Sequence, residues 1–327
     1  MSRRKYIKCE LCPRNCVLGE NERGNCRSRI NYKGELVTLV YGKPCTVHKD
    51  PVEKKPMFHF LPGSHAFSIA TAGCNLHCKF CQNWEISQIN PEDTRNDDLQ
   101  PEKAVEYSKQ AGCRSIAYTY SDPIIFYEYT YDTSVRARNA GIKNILVTAG
   151  FINEKPWRKL CAVTDGANID IKAMSEDYYR ELCGGQLEPV LKACKIANEM
   201  GVAVEVTNLI VPTQNDNPDM IKRLCEWTLK NLGPDCPLHF SRFFPLYQMR
   251  SLPPTPSETL VRARETALNQ GLHYVYVGNV EVPDGANTYC PGCKKLLVPR
   301  QGYFVGEVNI EDGKCKFCGY KIKGVWT

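Results

Sequence analysis

The chain has 327 residues, 43% hydrophobic and 24% charged, with a formal net charge of +6. That composition is globular, and the length suits two domains or one large α/β barrel with small appendages. It argues against a helical membrane protein, because no apolar run approaches the roughly 20 residues of a span, and against a nucleic-acid tail, because no dense Lys/Arg run occurs. The basic start MSRRKYIKCELC lacks a following apolar segment, so it does not read as a secretory signal and a cytoplasmic location is expected. Cytosolic thiols stay reduced, so clustering among the 18 cysteines points to metal rather than to disulfides.

In chain order, residues 1–66 open with Cys9, Cys12, Cys16 and Cys26 and continue with KGELVTLVYGKP, whose alternation predicts a hairpin. From residue 67 to 280, apolar β-branched runs alternate with helical patterns. The predicted strands are 67–72, 115–120, 143–148, 167–172, 202–210, 238–244 and 273–277. The predicted helices are 101–112, 123–140, 154–164, 186–200, 216–232 and 256–270. Pro101 and Pro123 sit where a first helical turn accepts proline. This alternation with short connections predicts a parallel sheet, and this many units predict a partial (β/α)6-type TIM barrel. Residues 281–327 form a third, small unit with Cys290, Cys293, Cys315 and Cys318 in a Gly-rich stretch.

The most informative stretch is AGCNLHCKFCQNW, which sets Cys74, Cys78 and Cys81 directly after the first core strand. The C-terminal strand ends of parallel α/β folds are where ligands bind. Thiolates suit zinc and iron–sulfur clusters, and a structural zinc closes with four protein ligands. Three close cysteines without a neighbouring fourth leave a cubane one iron free for another group, although a zinc site closed by a distant cysteine has the same local pattern. Polar or glycine residues recur at the other strand ends: Tyr120, Ser121 and Asp122, then Thr148, Asp170 with Lys172, Asn208 and Gly278. Asp170 and Lys172 are two apart and share a face, and a buried ion pair is costly enough to suggest a task.

Cys-x3-Cys-x-aromatic-Cys after the first strand of an α/β barrel resembles the signature of radical S-adenosylmethionine (SAM) enzymes. The resemblance implies that Cys74, Cys78 and Cys81 ligate three irons of a [4Fe-4S] cluster, and that the amino and carboxylate groups of SAM chelate the fourth. It implies a SAM pocket drawn from Phe80, Asn83, Tyr120, Ser121, Asp122, Thr148, Asp170, Lys172, Asn208, Tyr247 and Gly278, with Lys172 neutralising the SAM carboxylate. The sequence DIK (170–172) is similar to the motif of glycyl-radical-enzyme activases, the pyruvate formate-lyase activating enzyme group. Val147 stands where that group has an acid, Tyr247 where it has a histidine, and Tyr120-Ser121-Asp122 where the superfamily has a Gly-Gly-Glu-type segment. CELCPRNC (9–16), DPVEKKPMFHFLPGS (50–64) and SRFFPLYQM (241–249) resemble the radical SAM subfamily encoded near Memo-like proteins, the AmmeMemoRadiSam system, and this likeness runs over nearly the whole chain. The activity implied is reductive cleavage of SAM to a 5′-deoxyadenosyl radical that abstracts hydrogen from a substrate. A ferredoxin- or flavodoxin-type donor would supply the electron, and a Memo-like protein is a candidate partner. A glycyl-radical-enzyme activase and an RNA-modifying enzyme are alternatives within this chemistry. A SAM-independent iron–sulfur protein for electron transfer or redox sensing is the alternative outside it.

Cys290-x2-Cys293 and Cys315-x2-Cys318, separated by 21 residues, are two knuckles of zinc-ribbon type. The N-terminal four are read as a zinc site, with an auxiliary iron–sulfur cluster as the alternative. His59, in FHF, reads as a satisfied half-buried histidine, and His77 as a neighbour of the triplet facing solvent or the metal's surroundings. The aromatic run 118–131 fits a stacking surface and a packed helix face equally well.

Overall fold

A computed structural model of the chain describes residues 6–327. Its central sheet has eight strands: β1 (Thr46–Pro51), β2 (His65–Ala70), β3 (Ser115–Tyr118), β4 (Lys143–Thr148), β5 (Gly166–Asp170), β6 (Ala203–Ile210), β7 (Leu238–Arg242) and β8 (Val275–Gly278). They lie side by side in chain order. β1 runs antiparallel to β2 and every later neighbour is parallel. The crossovers carry α1 (Pro101–Gln110), α2 (Tyr127–Asn139), α3 (Glu154–Cys161), α4 (Leu187–Glu199), α5 (Pro218–Leu232) and α6 (Ser257–Asn269). Strands covered on both faces must be apolar throughout, and β3 is buried at every position. β1 and β8 do not pair with each other, so the barrel stays open at one side.

The helix starts follow local chemistry. Pro101 and Pro218 open α1 and α5, and the Asn217 side chain accepts from the Met220 amide at 2.9 Å. After β1 the chain crosses beneath the barrel, where Val52, Met57, Phe60 and Leu61 pack on Ala66, Ala117 and Ile145. Burying each large side chain there contributes about 1.5–3 kcal/mol. Gly166 at the start of β5 makes room for this plug: a Cβ would lie 2.8 Å from the Phe60 ring.

The C-terminal segment folds into three short antiparallel pairs and docks on the same plug. Val325 donates to the His59 carbonyl and accepts from the Leu61 amide, both at 2.7 Å. Fully buried His59 bonds the Lys323 carbonyl through Nδ1 at 2.8 Å and the Tyr276 hydroxyl through Nε2 at 2.7 Å. Arg300 donates to the Phe58 carbonyl at 2.6 Å and to Thr288 Oγ1 at 2.8 Å.

Three features differ from the sequence reading. α2 begins at Tyr127, so Pro123 lies in the turn before the helix and not in its first helical turn. The hairpin is formed by Arg29–Tyr32 and Glu35–Thr38, so its first strand precedes the predicted stretch and residues 39–44 lead into β1. Lys33 and Gly34 both take positive φ (54° and 82°), the requirement of a two-residue turn matched to strand twist. β1 itself, inside the segment assigned to the N-terminal module, pairs with the core sheet, which local alternation does not reveal. Among the described residues, no helix is long and apolar enough to cross a membrane.

Candidate active site at the C-terminal strand ends

The loop after β2 carries the three cysteines. Its amides at His77 and Lys79 donate, both at 2.8 Å, to the carbonyls of Cys183 and Leu182 in a π-helical turn, Tyr179–Cys183. Such wide turns recur at functional sites. From the other side, the Gln248 amide donates to the Lys79 carbonyl at 3.0 Å. Cys81 Sγ lies 3.2 Å from Ser87 Oγ, and Cys74 Sγ accepts from the Leu76 amide at 3.4 Å.

All three cysteines line one cleft of about 360 Å³. Their sulfurs do not all lie within 4.8 Å of one another; among the described residues that condition is met by the C-terminal four alone. Three thiolates on one cleft, short of the four that close a structural zinc, fit a multi-iron cluster. Burial pushes the Cys74 thiol well up, while the adjoining Cys183 thiol, then burial, does the same for Cys78. Ligation has to offset that cost, because only the thiolates bind metal.

The strand ends supply the facing wall. At the end of β5, Lys172 Nζ lies 2.6 Å from Asp170 Oδ2. Burial opposes the ammonium charge, but Asp170 and the nearby Cys78 outweigh it and raise the Lys172 pKa. After β3, buried Asp122 accepts from Thr148 Oγ1 at 2.9 Å and the Ala149 amide at 2.8 Å, tying two strand ends together. Burial still raises its pKa, with those hydrogen bonds pulling the other way. Ser121 Oγ donates to the Thr71 carbonyl at 2.6 Å, and Asn83 Nδ2 to the Tyr120 carbonyl at 2.9 Å. Tyr120 itself takes φ 65°, a strained value for a residue with a Cβ.

Phe80, Asn83, Tyr120, Ser121, Asp122, Thr148, Asp170 and Lys172 thus converge on the cysteine cleft. Three other predicted residues do not. Asn208 sits between Thr207 and Leu209, which line the cleft; strand alternation turns Asn208 away, and its Nδ2 donates to the Ile171 and Lys172 carbonyls. Tyr247 stacks on Trp84 with ring centroids 5.3 Å apart, covering the loop from outside. Gly278 lines a neighbouring cavity, and Asn279 belongs to both spaces. Of the aromatic run, Tyr120 reaches the cleft, whereas Tyr118, Phe126 and Tyr129 are core. His77 bonds Gln88 and Asn25 through its two ring nitrogens.

Sequence reasoning missed Lys55, Tyr303 and Cys183. Lys55, 1% exposed, lines the cleft, bonds Asp50 at 2.7 Å and lies 4.2 Å from the Tyr120 ring centroid. Burial lowers its pKa to about 8 against the pull of Asp50. The doubled lysine in DPVEKKP was its signal, but nothing local says which lysine turns inward. The neighbouring cavity, about 780 Å³, lies between β6–β8 and the C-terminal segment and includes Glu53, His239, Ser241 and Arg300. It shares Lys54, Pro56, Thr207, Ser241, Asn279 and Tyr303 with the cleft.

The two outer cysteine sets differ in geometry. Cys290 and Cys318 sulfurs are 3.6 Å apart, and those of Cys293 and Cys315 are 3.7 Å apart. A tetrahedral zinc with Zn–S of about 2.3 Å has a sulfur–sulfur edge of about 3.8 Å. Cys9, Cys12, Cys16 and Cys26 instead surround a small cavity behind the triplet loop.

The fold is an α/β barrel open at one side, with three cysteines on its first C-terminal loop. The radical SAM superfamily model matches residues 68–228. An uncharacterised protein of Methanocaldococcus jannaschii is 46% identical over 318 residues, 97% of this chain and 95% of that one. The pyruvate formate-lyase 1-activating enzyme of Escherichia coli K12 is 25% identical over 161 residues, 48% of this chain and 65% of that enzyme. Streptococcus suis SuiB bound to S-adenosylmethionine shares the fold, with TM-score 0.51 and 13% identity over 69% of this chain and 52% of that one. The chain belongs to the radical SAM superfamily and is an enzyme of it, with similarity to the pyruvate formate-lyase activating enzymes.

Proposed function

We propose that the enzyme acts on a polar substrate held in the 780 Å³ cavity, beside SAM in the cysteine cleft. The observation that carries this reading is the shared wall of Lys54, Pro56, Thr207, Ser241, Asn279 and Tyr303, which sets the two spaces side by side. Residues 67–280 act as the catalytic barrel, with 1–66 and 281–327 as modules that plug and wall it. Cys74, Cys78 and Cys81 would hold the [4Fe-4S] cluster, which when bound supplies the electron for cleaving SAM. Lys172 would neutralise the SAM carboxylate, and Asp170 fixes where its ammonium sits. Asp122 holds the Thr148 hydroxyl and the Ala149 amide in place beside the methionine end. Tyr303, delivered by the C-terminal module, lines the far side of the cleft. Cys290, Cys293, Cys315 and Cys318 would bind zinc and stabilise that module, since their spacing fits one tetrahedral ion. A one-electron donor of ferredoxin or flavodoxin type, in a reducing cytoplasm, would complete the system.

The similarity to activating enzymes supports a second reading, in which a partner protein's backbone glycine enters the cavity in place of a small molecule; a Memo-like protein is one candidate. The test is an anaerobic assay of reconstituted protein with SAM and a strong reductant. Formation of 5′-deoxyadenosine by the native chain, and none by a Cys74→Ala/Cys78→Ala/Cys81→Ala variant, supports the SAM site. Equal product from both would sink it. Deuterium transfer into 5′-deoxyadenosine from a labelled polar metabolite pool, or from a labelled partner protein, then separates the two substrate readings.

A further inference from the structure

We infer that Cys9, Cys12, Cys16 and Cys26 hold a second [4Fe-4S] cluster, on the far side of the loop that carries the first, and not the zinc ion that their spacing suggested. The four thiols come from two turns and line one small cavity. No three of their sulfurs lie mutually within 4.8 Å, whereas the C-terminal four all do. One ion draws four sulfurs onto a tetrahedron with edges of about 3.8 Å. A cubane interposes four irons and holds its terminal thiolates farther apart. The N-terminal set therefore shares its wide spacing with Cys74, Cys78 and Cys81, and shares only its cysteine count with the ribbon.

The walls point the same way. Arg29, 5% exposed, lines the cavity near Cys9 and Cys26. One of its terminal nitrogens is engaged by Glu128, but buried Nε has no hydrogen-bond partner. A buried guanidinium donor left unsatisfied costs about 1–3 kcal/mol or more, and a thiolate or bridging sulfide in the cavity satisfies it. Such hydrogen bonds to sulfur are a normal part of iron–sulfur sites.

The two sites are built as neighbours. Cys74 faces the SAM cleft while Asn75, the next residue, lines the N-terminal cavity. Asn75 is fixed on the barrel by Nδ2 donating to the Phe151 carbonyl at 2.7 Å, and its carbonyl accepts from Arg14 Nε at 2.6 Å. Gly73 takes φ +101°, and a Cβ there would lie 2.4 Å from the Cys26 carbonyl oxygen. Only glycine lets the two cysteine loops touch this closely.

The test is elemental and spectroscopic and needs no turnover. The full chain is reconstituted anaerobically with iron and sulfide, and iron, sulfide and zinc are counted per chain. The expected result is about eight irons, about eight sulfides and about one zinc. The Cys74→Ala/Cys78→Ala/Cys81→Ala variant should keep about four irons and a reduced-cluster EPR signal indifferent to SAM. A Cys9→Ser/Cys12→Ser/Cys16→Ser/Cys26→Ser variant should keep about four irons with a signal that SAM perturbs. About two zincs and about four irons in the native chain would overturn the inference, and that count needs no variant to fold. A folded triplet variant without iron or sulfide would overturn it too. If instead the triplet binds nothing, iron disappears only with the N-terminal substitutions, so failure of the SAM-site reading remains distinguishable.

Discussion

The chain carries four cysteines at each end, and the two sets meet different surroundings. The C-terminal four are two facing knuckles, one in the turn between two paired strands and the other in the turn that follows Lys314–Cys315, and the sulfurs close to a tetrahedral edge. The N-terminal four surround a cavity whose wall the barrel completes with Asn75, Ile124 and Ile125. Cysteine count and spacing select thiolate chemistry in both cases. Sulfur separation, and who supplies the walls, select how many metal atoms fit.

Removing a ribbon ligand separates the two cysteine sets most directly. Cys293→Ser is expected to release about one zinc and to destabilise the C-terminal segment by several kcal/mol, because metal binding there is folding energy. Elemental analysis should find iron unchanged, and limited proteolysis should cut first within 281–327. Iron loss in step with zinc would show that the sets are not independent. His59 tests how the ribbon is fastened to the barrel. Burial lowers its pKa to about 4, with Glu205 resisting. An unfolded histidine takes its proton near pH 6.5, so as pH falls from about 6.5 to 4 the unfolded state binds the extra proton and stability drops. The loss attributable to His59 is about 3 kcal/mol. Denaturant titrations at pH 7 and pH 4.5 should show a smaller pH-dependent change in His59→Gln than in the native chain, and equal changes would refute it.

Lys172→Ala should leave all three cysteine sets loaded and weaken SAM binding by about 30-fold or more, about 2 kcal/mol, as an uncompensated charge is left in the cleft. Equilibrium binding to the reconstituted enzyme reads this, and unchanged affinity removes Lys172 from the site. The smallest effect is expected at Cys183, whose thiol adjoins Cys78 behind the cleft. Cys183→Ala should retain iron but shift the reduction potential of the triplet's cluster to a more negative value, since one hydrogen bond to ligand sulfur is lost. A potentiometric titration that superimposes on the native one would place Cys183 with the core cysteines.

Much of the site was legible because its signals are local. The Cys74–Cys81 loop, the Asp170–Lys172 pair and the polar strand ends needed only period-two alternation and a parallel sheet. Asn208 was misassigned by one residue of that alternation, a slip that turns a side chain to the opposite face. Tyr247 was placed by analogy with a histidine, and its ring instead pairs with Trp84, roughly 550 Å away along a fully extended chain. Lys55 and Tyr303 were invisible for a plainer reason: they enter the cleft from segments outside the barrel's strand–helix rhythm.

Sequence alone determined the alternation of strands and helices, the grouping of cysteines into three sets and the superfamily. These depend on residue type and short spacing, which act over one turn or one strand. Tertiary structure decided that β1 joins the sheet antiparallel, that the C-terminal segment walls a second cavity, and that Asn75 turns its back on Cys74. Those outcomes depend on how distant surfaces fill one another's space, which for residues hundreds of positions apart is settled only once the barrel has closed around its plug.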